Sequence, residues 1–209
     1  SCQNFGQFTF VADLPFTLSE VSGITTVSQS DLIWMVNDSG NQPILFGVNR
    51  QGKTIREILI DAKNVDWEDL TSDPEGNIYI GDFGNNNNDR KKLRILKIDK
   101  KYLDDRMAQA EVIEVTYEDQ KKYPPKTNKY FFDAESFFYH DNHFYIFTKT
   151  RVDKKYGETN VYRIPAKEGK HKAKLLDDFD NGKKEASWIT SAAISDDGKK
   201  VALLSQKNI

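Results

Sequence analysis

The stretch Trp67-Glu-Asp-Leu-Thr-Ser-Asp-Pro-Glu-Gly-Asn-Ile-Tyr-Ile-Gly-Asp82 reads as two short apolar strands joined by a tight turn. Asp73-Pro74-Glu75-Gly76 supplies an acceptor side chain at the start of that turn and a glycine able to adopt positive φ at its end. The flanking residues are aromatic and β-branched, the types that pack well on a pleated surface. The same shape recurs along the chain. Ser22-Gly-Ile-Thr-Thr-Val27 precedes Leu32-Ile-Trp-Met-Val36, Glu135-Ser-Phe-Phe-Tyr139 precedes His143-Phe-Tyr-Ile-Phe147, and Thr190-Ser-Ala-Ala-Ile194 precedes Lys200-Val-Ala-Leu-Leu204. Asp196-Asp197-Gly198 turns the last pair, and His140-Asp141-Asn142 turns the third without glycine, since Asp and Asn tolerate the left-handed region. Each pair is a predicted hairpin.

Further strands follow three of these hairpins: Pro43–Val48 with Thr54–Ile60, Leu93–Ile98 with Glu111–Tyr117, and Asn160–Ile164 with Ala173–Leu176. The repeat period is roughly 45 to 65 residues, the range in which repeat architectures are sought. Four-stranded meanders at this period predict an all-β chain of β-propeller type, with blades at 18–60, 65–117, 132–178 and a partial one at 188–209. That is about three and a half blades where closed propellers have at least four, so the single domain 1–209 is expected to be incomplete, part of a six-bladed or larger propeller. Lys101–Ala110 contains several good helix formers and is expected to form a short helix of a turn or two.

Composition narrows the function classes. Apolar residues make up 38% and aromatic residues 12% of the 209, enough for a core and too many for a disordered chain. Thirty basic residues against thirty-two acidic ones are mixed along the chain. No concentrated basic face is evident, so a nucleic-acid partner is not expected, and the lysine pairs Lys91-Lys92, Lys154-Lys155 and Lys183-Lys184 read as solvated loops or strand ends. No apolar run is long enough to span a bilayer as a helix. The single Cys2 beside Ser1 resembles the processed end of a bacterial lipoprotein, which gives a candidate lipid attachment and a secretory address. A stray terminal thiol is the alternative.

Polar residues recur where successive first strands begin and second strands end. Glu20, Asp66, Glu68, Asp69, Asp133, Glu135 and Thr190 lie at the former places; Asp38, Asp82 and Lys149 lie at the latter. If these ends meet, they form an acidic rim around a channel, and these ten residues are its candidate ligand-binding groups. Three outcomes are open for such carboxylates. A hard cation such as calcium can hold them, with Glu68, Asp82, Asn85 and Glu135 as the candidate ligands. One acid can instead stay protonated beside an ionised neighbour and work as an acid/base pair. Or the carboxylates can cap loops and pair with Lys149, Arg90 or Arg151. The string Gly81-Asp-Phe-Gly-Asn-Asn-Asn-Asn-Asp-Arg90 is rich in oxygen ligands, but it lacks the EF-hand spacing and reads best as a loop held by Asx-turns. His140, His143 and His171 show no zinc spacing, and no nucleophile elbow or phosphate-cradling glycine loop is present.

Several of these strings together resemble a group of uncharacterised secreted or lipoprotein propeller proteins of Bacteroidetes-type bacteria. They are Asn37-Asp-Ser-Gly40, Asp66-Trp-Glu-Asp69, Gly81-Asp-Phe-Gly-Asn-Asn86 with Arg90, Asp133-Ala-Glu135 with Thr148-Lys149, and Ser195-Asp-Asp-Gly198. The group is distantly similar to six-bladed lactonase, esterase and strictosidine-synthase-like propellers. The resemblance implies a secreted, periplasmic or outer-membrane-attached module of the cell envelope in a Gram-negative bacterium. Such a module would bind a small molecule, glycan or protein at its channel rim and meet the membrane only through a lipid. It implies two alternatives: a calcium-dependent lactone or ester hydrolase using Glu68, Asp82 and Glu135, and a purely structural domain. Calcium is the only cofactor it suggests.

Overall fold

The computed structural model describes residues 9–206. Among these residues fifteen strands carry the fold, and each of the four expected hairpins is present. They are β1 (Val21–Thr26) with β2 (Ile33–Asn37), β5 (Trp67–Ser72) with β6 (Ile78–Asp82), β10 (Asp133–His140) with β11 (His143–Lys149), and β14 (Ile189–Ile194) with β15 (Val201–Ser205). Turn chemistry explains why they form. Gly76 and Gly198 take φ of 93° and 68°, and Asp141 and Asn142 take 47° and 58°, a region that glycine enters freely and Asp and Asn tolerate.

The remaining strands are β3 (Ile44–Val48), β4 (Thr54–Ile60), β7 (Leu93–Ile98), β8 (Met107–Ala108), β9 (Ala110–Tyr117), β12 (Glu158–Pro165) and β13 (Gly169–Asp180). Their pairing departs from the sequence-based expectation. The first sheet runs β1-β2-β3-β4-β8, gaining a fifth strand because β8 pairs parallel with β4. The second runs β10-β11-β12-β13-β9-β7-β6-β5, since Gly169–Ala173 of β13 pairs parallel with Ile113–Tyr117 of β9 and fuses two four-stranded units. The β14-β15 pair stands as a third sheet. The two edges of the eight-stranded sheet face each other: Phe137 N–H of β10 donates to Asp69 Oδ2 of β5 (3.3 Å), and Tyr139 N–H to Thr71 Oγ1 (3.1 Å).

The expected β-propeller of separate four-stranded blades is therefore corrected. The chain is an all-β fold with one nearly closed eight-stranded sheet and two open sheets. No closed central channel is formed among the described residues, because the strands expected to surround one lie against each other. Ser22 Oγ donates to Trp67 O (2.8 Å), and a Cβ on Gly23 would fall 2.6 Å from Leu70 N. The expected helix at Lys101–Ala110 is corrected as well. A single 3-10 turn, Lys100–Tyr102, is capped by the Asp99 carboxylate, and the chain is extended again by Met107.

Period-two alternation divides the core. Tyr79, Phe83, Ile95, Val115, Phe137, Phe144 and Tyr162 fill one cluster inside the eight-stranded sheet. Trp34, Leu45, Ile58, Trp67, Ile78, Ile80 and Leu96 fill a second, between that sheet and the first. Phe138 and Phe147 point away from the first cluster and pack with Ile189 and Ala192 of the third sheet. These layers fix the strand ends, and at one end the acidic residues gather.

Candidate functional site

All four hairpins carry an irregularity at the same point of the first strand. Register slips between Val21 and Gly23, Trp67 and Asp69, Ala134 and Ser136, and Ile189 and Ser191. The extra residues are Ser22, Glu68, Glu135 and Thr190. A bulge breaks the alternation locally and re-aims the side chain it carries. Two of the four aim a glutamate toward the end of the sheets where β2, β6 and β11 finish.

Most charge at this end is paired. Asp82, fully buried, accepts from Arg90 Nη2 at 2.8 Å and from Arg94, and also takes the Asp66 N–H at 3.1 Å. Asp133, also buried, accepts from Arg151 Nε at 2.6 Å and from Asn85 N–H at 2.8 Å. Glu135 pairs with Lys149, and Arg151 Nη2 lies 3.8 Å from it. Lys149 and Arg151 both lie over the Trp188 ring, at 4.6 and 5.3 Å, and the indole N–H is fixed on Thr150 O at 2.7 Å. Burial, followed by the Arg151 charge, lowers the Lys149 pKa; the carboxylates of Asp133, Glu68 and Asp38 oppose this.

Asp38, Asp66 and Glu68 are the exception. One carboxylate oxygen from each lies within 4.8 Å of the others, and none of the three forms an ion pair among the described residues. Glu68 is pushed up to about 9, first by burial and then by the charges of Asp66, Asp133 and Asp38. Asp66 is raised by burial, against a hydrogen bond from Ser39. Gly84 makes the convergence possible, since a Cβ there would overlap both Glu68 Oε1 and Asp66 Oδ2.

The asparagine-rich loop supports this arrangement from behind. Asn85 Oδ1 accepts from Arg90 N–H (3.0 Å), and Asn88, at φ 52°, accepts the Phe132 N–H (2.8 Å) on its side chain and Gln120 Nε2 (2.9 Å) on its carbonyl. Asn86 Oδ1 accepts from Arg151. The asparagines serve as struts.

Of the candidate residues, the structure brings Asp38, Asp66 and Glu68 together. It places Asp82, Asp133, Glu135 and Lys149 beside them in ion pairs, and Asn85 in the loop. Asp69 is turned into the core, where it accepts backbone N–H groups of Leu70 (2.8 Å), Phe137 and Ala192 and is raised well above the usual carboxylate range by burial. Glu20 accepts from Asn41 at 2.7 Å, and Thr190 donates to Leu204 O at 3.4 Å; neither joins the cluster. Cys2 lies outside the described residues. The sequence reading missed Arg94, Trp188 and the cradle at Gly84. Arg94 is found only from strand register, which sets it opposite Asp82.

No family model matches the chain, and no curated protein sequence matches it. Among solved structures it is similar to RS223 beta-xylosidase, with TM-score 0.53 and 13% identity over 86% of this chain and 62% of that one. It is also similar to Kuenenia stuttgartiensis hydrazine synthase, with TM-score 0.47 and 16% identity over 95% of this chain and 45% of that one. A third is virginiamycin B lyase from Staphylococcus aureus, with TM-score 0.43 and 13% identity over 90% and 53%. The chain thus spans about half the length of these proteins. At such identities the likeness is one of fold alone.

The resemblance to a Bacteroidetes-type propeller family is corrected by these findings. The secreted, lipoprotein and cell-envelope readings lose the support they drew from it. With no closed channel there is no channel rim, so the rim-binding module, the hydrolase built at a channel mouth and the structural propeller domain are corrected too.

Proposed function

We propose that this end of the molecule binds a hard divalent cation, such as calcium, through Asp38, Asp66 and Glu68. One observation carries the reading: the three converging carboxylates form no ion pair among the described residues, while Asp82, Asp133 and Glu135 beside them each have one. Buried or half-buried like charges repel unless a proton or a metal joins them. Calcium takes six to eight oxygen ligands, and three carboxylates, each mono- or bidentate, supply much of that shell. The cradle at Gly84 fits, because it leaves both carboxylates of β5 free to approach one point. Bound there, the ion would tie the end of β2 to the start of β5 and hold the loop after β6 against them.

Calorimetric titration of the full chain with calcium and with magnesium tests this. The expected result is one saturable site, lost in the Asp66→Asn/Glu68→Gln double variant, with a melting temperature that rises as the free ion concentration rises. No binding heat and no melting shift with either ion at millimolar concentration would overturn it.

A further inference from the structure

The hairpins stack in one direction, and their register shows which face meets which. Gly23, Asp69, Ser136 and Ser191 are the first residues after the four bulges, and Ile24, Leu70, Phe137 and Ala192 are the second. Neighbours along a strand point to opposite faces, so the second residue marks one face of its hairpin and the first residue marks the other. The second-residue face packs on the hairpin before it: Leu70 shares a core with Trp34 and Val36, Phe137 with Tyr79, and Ala192 with Phe138 and Phe147. The contact repeats in detail. A Cβ on Gly23 would fall 2.6 Å from Leu70 N, and one on Gly81, across from Asp69, would fall 3.1 Å from Phe137 Cε1.

Each end of the stack is left with one half of this junction. In the first hairpin the second residue is Ile24, which is 53% exposed, whereas Leu70, Phe137 and Ala192 are buried. Leu18 packs on Met35 and Phe46 of that face, and Ile24 joins no core cluster among the described residues. In the last hairpin Leu204 stands across from Ser191, as Val36 does from Gly23 and Phe147 from Ser136. Val36 and Phe147 are buried, but Leu204 is 41% exposed, and Ala193 and Ala202 beside it are exposed as well.

We infer that a second copy of this chain covers these ends, the Leu204 face of one copy lying on the Ile24 face of the next. Register names the occupant. At each internal junction the face equivalent to that of Leu204 is covered by the second-residue face of the following hairpin, and among the described residues the first hairpin holds the one such face still open. The chemistry matches too: Ala193, Ala202 and Leu204 on one side and Ile24, Ile33 and Met35 on the other are all apolar, so closing the contact buries hydrocarbon and strands no charge. Because the two faces differ, the contact is head-to-tail, and two copies joined by it keep one free face of each kind.

Sedimentation velocity on the full chain, from about 10 μM to about 1 mM, tests this. The expected result is a mass that rises with concentration. Leu204→Lys on one face and Ile24→Lys on the other should each weaken the association by at least about tenfold, and Lys172→Ser on β13 should leave it unchanged. An equimolar mixture of the two lysine variants should form a dimer and stop there, since one copy then offers only its Ile24 face and the other only its Leu204 face. Circular dichroism checks that each variant is folded, and Leu204→Ser with Ile24→Ser repeats the experiment where a lysine disturbs the strand. A chain that stays monomeric throughout the range overturns the proposal. So does association that survives either substitution undiminished, or a mixture of the two variants that stays monomeric.

Discussion

Asp82 and Glu68 come from opposite arms of one hairpin and solve the same problem in opposite ways. Asp82 is fully buried and paired with two arginines. Glu68, at the bulge across from it, meets other carboxylates and is pushed up to about 9. A buried charge persists only if it is paired and hydrogen-bonded. The Asp82 centre is saturated and holds loop to strand, whereas the Glu68 centre is left short of positive charge by the same backbone. Its deficit makes it the place where an added ion gains most.

The sharpest way to break the contrast is Asp82→Ala. Arg90 and Arg94 would lose their common partner and Asp66 N–H its acceptor, and the expected loss is about 3 to 5 kcal/mol in urea unfolding. Glu68→Gln at neutral pH should cost nothing, or raise stability in metal-free buffer. Equal losses from the two variants would dissolve the distinction.

Gly84→Ala attacks the cradle alone. The new methyl must displace both the Asp66 and Glu68 side chains, with an expected cost of about 1 to 3 kcal/mol. Calcium should no longer raise its melting temperature. A variant that keeps the full calcium response would place the ion elsewhere.

The pH dependence separates the two centres further. Glu68 binds its proton more tightly folded than unfolded, where the ordinary value is 4.5. Its contribution is therefore fully present at acid pH and declines as pH rises from about 4.5 to about 9. The slope is at most about 1.4 kcal/mol per pH unit. In chelator, Glu68→Gln should flatten this slope; in saturating calcium the wild-type chain should approach the variant. A slope that survives Glu68→Gln would point to Asp66 and Asp69, which burial shifts in the same direction.

The smallest expected effect lies at the edge of the network. Trp188→Leu removes the ring over which Lys149 and Arg151 lie and should cost about 0.5 to 1 kcal/mol, read as a small melting shift. Calcium affinity should stay within about twofold, because the indole interacts with Lys149, Arg151, Thr150 and Tyr156 rather than bonding to the three proposed ligands.

What could be read from the sequence follows the range of the interactions involved. The hairpins were legible because a turn is decided by neighbouring residues: Gly76, Asp141, Asn142 and Gly198 adopt the positive φ that their chemistry allows. The joining of sheets was not. Val115 of β9 meets His171 of β13 in a parallel pairing, and no local pattern marks that partner. The loop end was legible in outline, since carboxylates stood at corresponding strand ends. Which of them would lack a partner depended on where Arg90, Arg94, Lys149 and Arg151 reached, and only strand register and folding decide that.

The bulge has a consequence for how such a protein can change. Ser22, Glu68, Glu135 and Thr190 hold the same place in their hairpins, and each stands outside the two-residue rhythm that commits its neighbours to one side of the sheet or the other. A hydroxyl and a carboxylate serve equally well there as far as the core is concerned. The fold thus sets aside one address per hairpin where chemistry can be rewritten by a single substitution while the packed layers stay as they are.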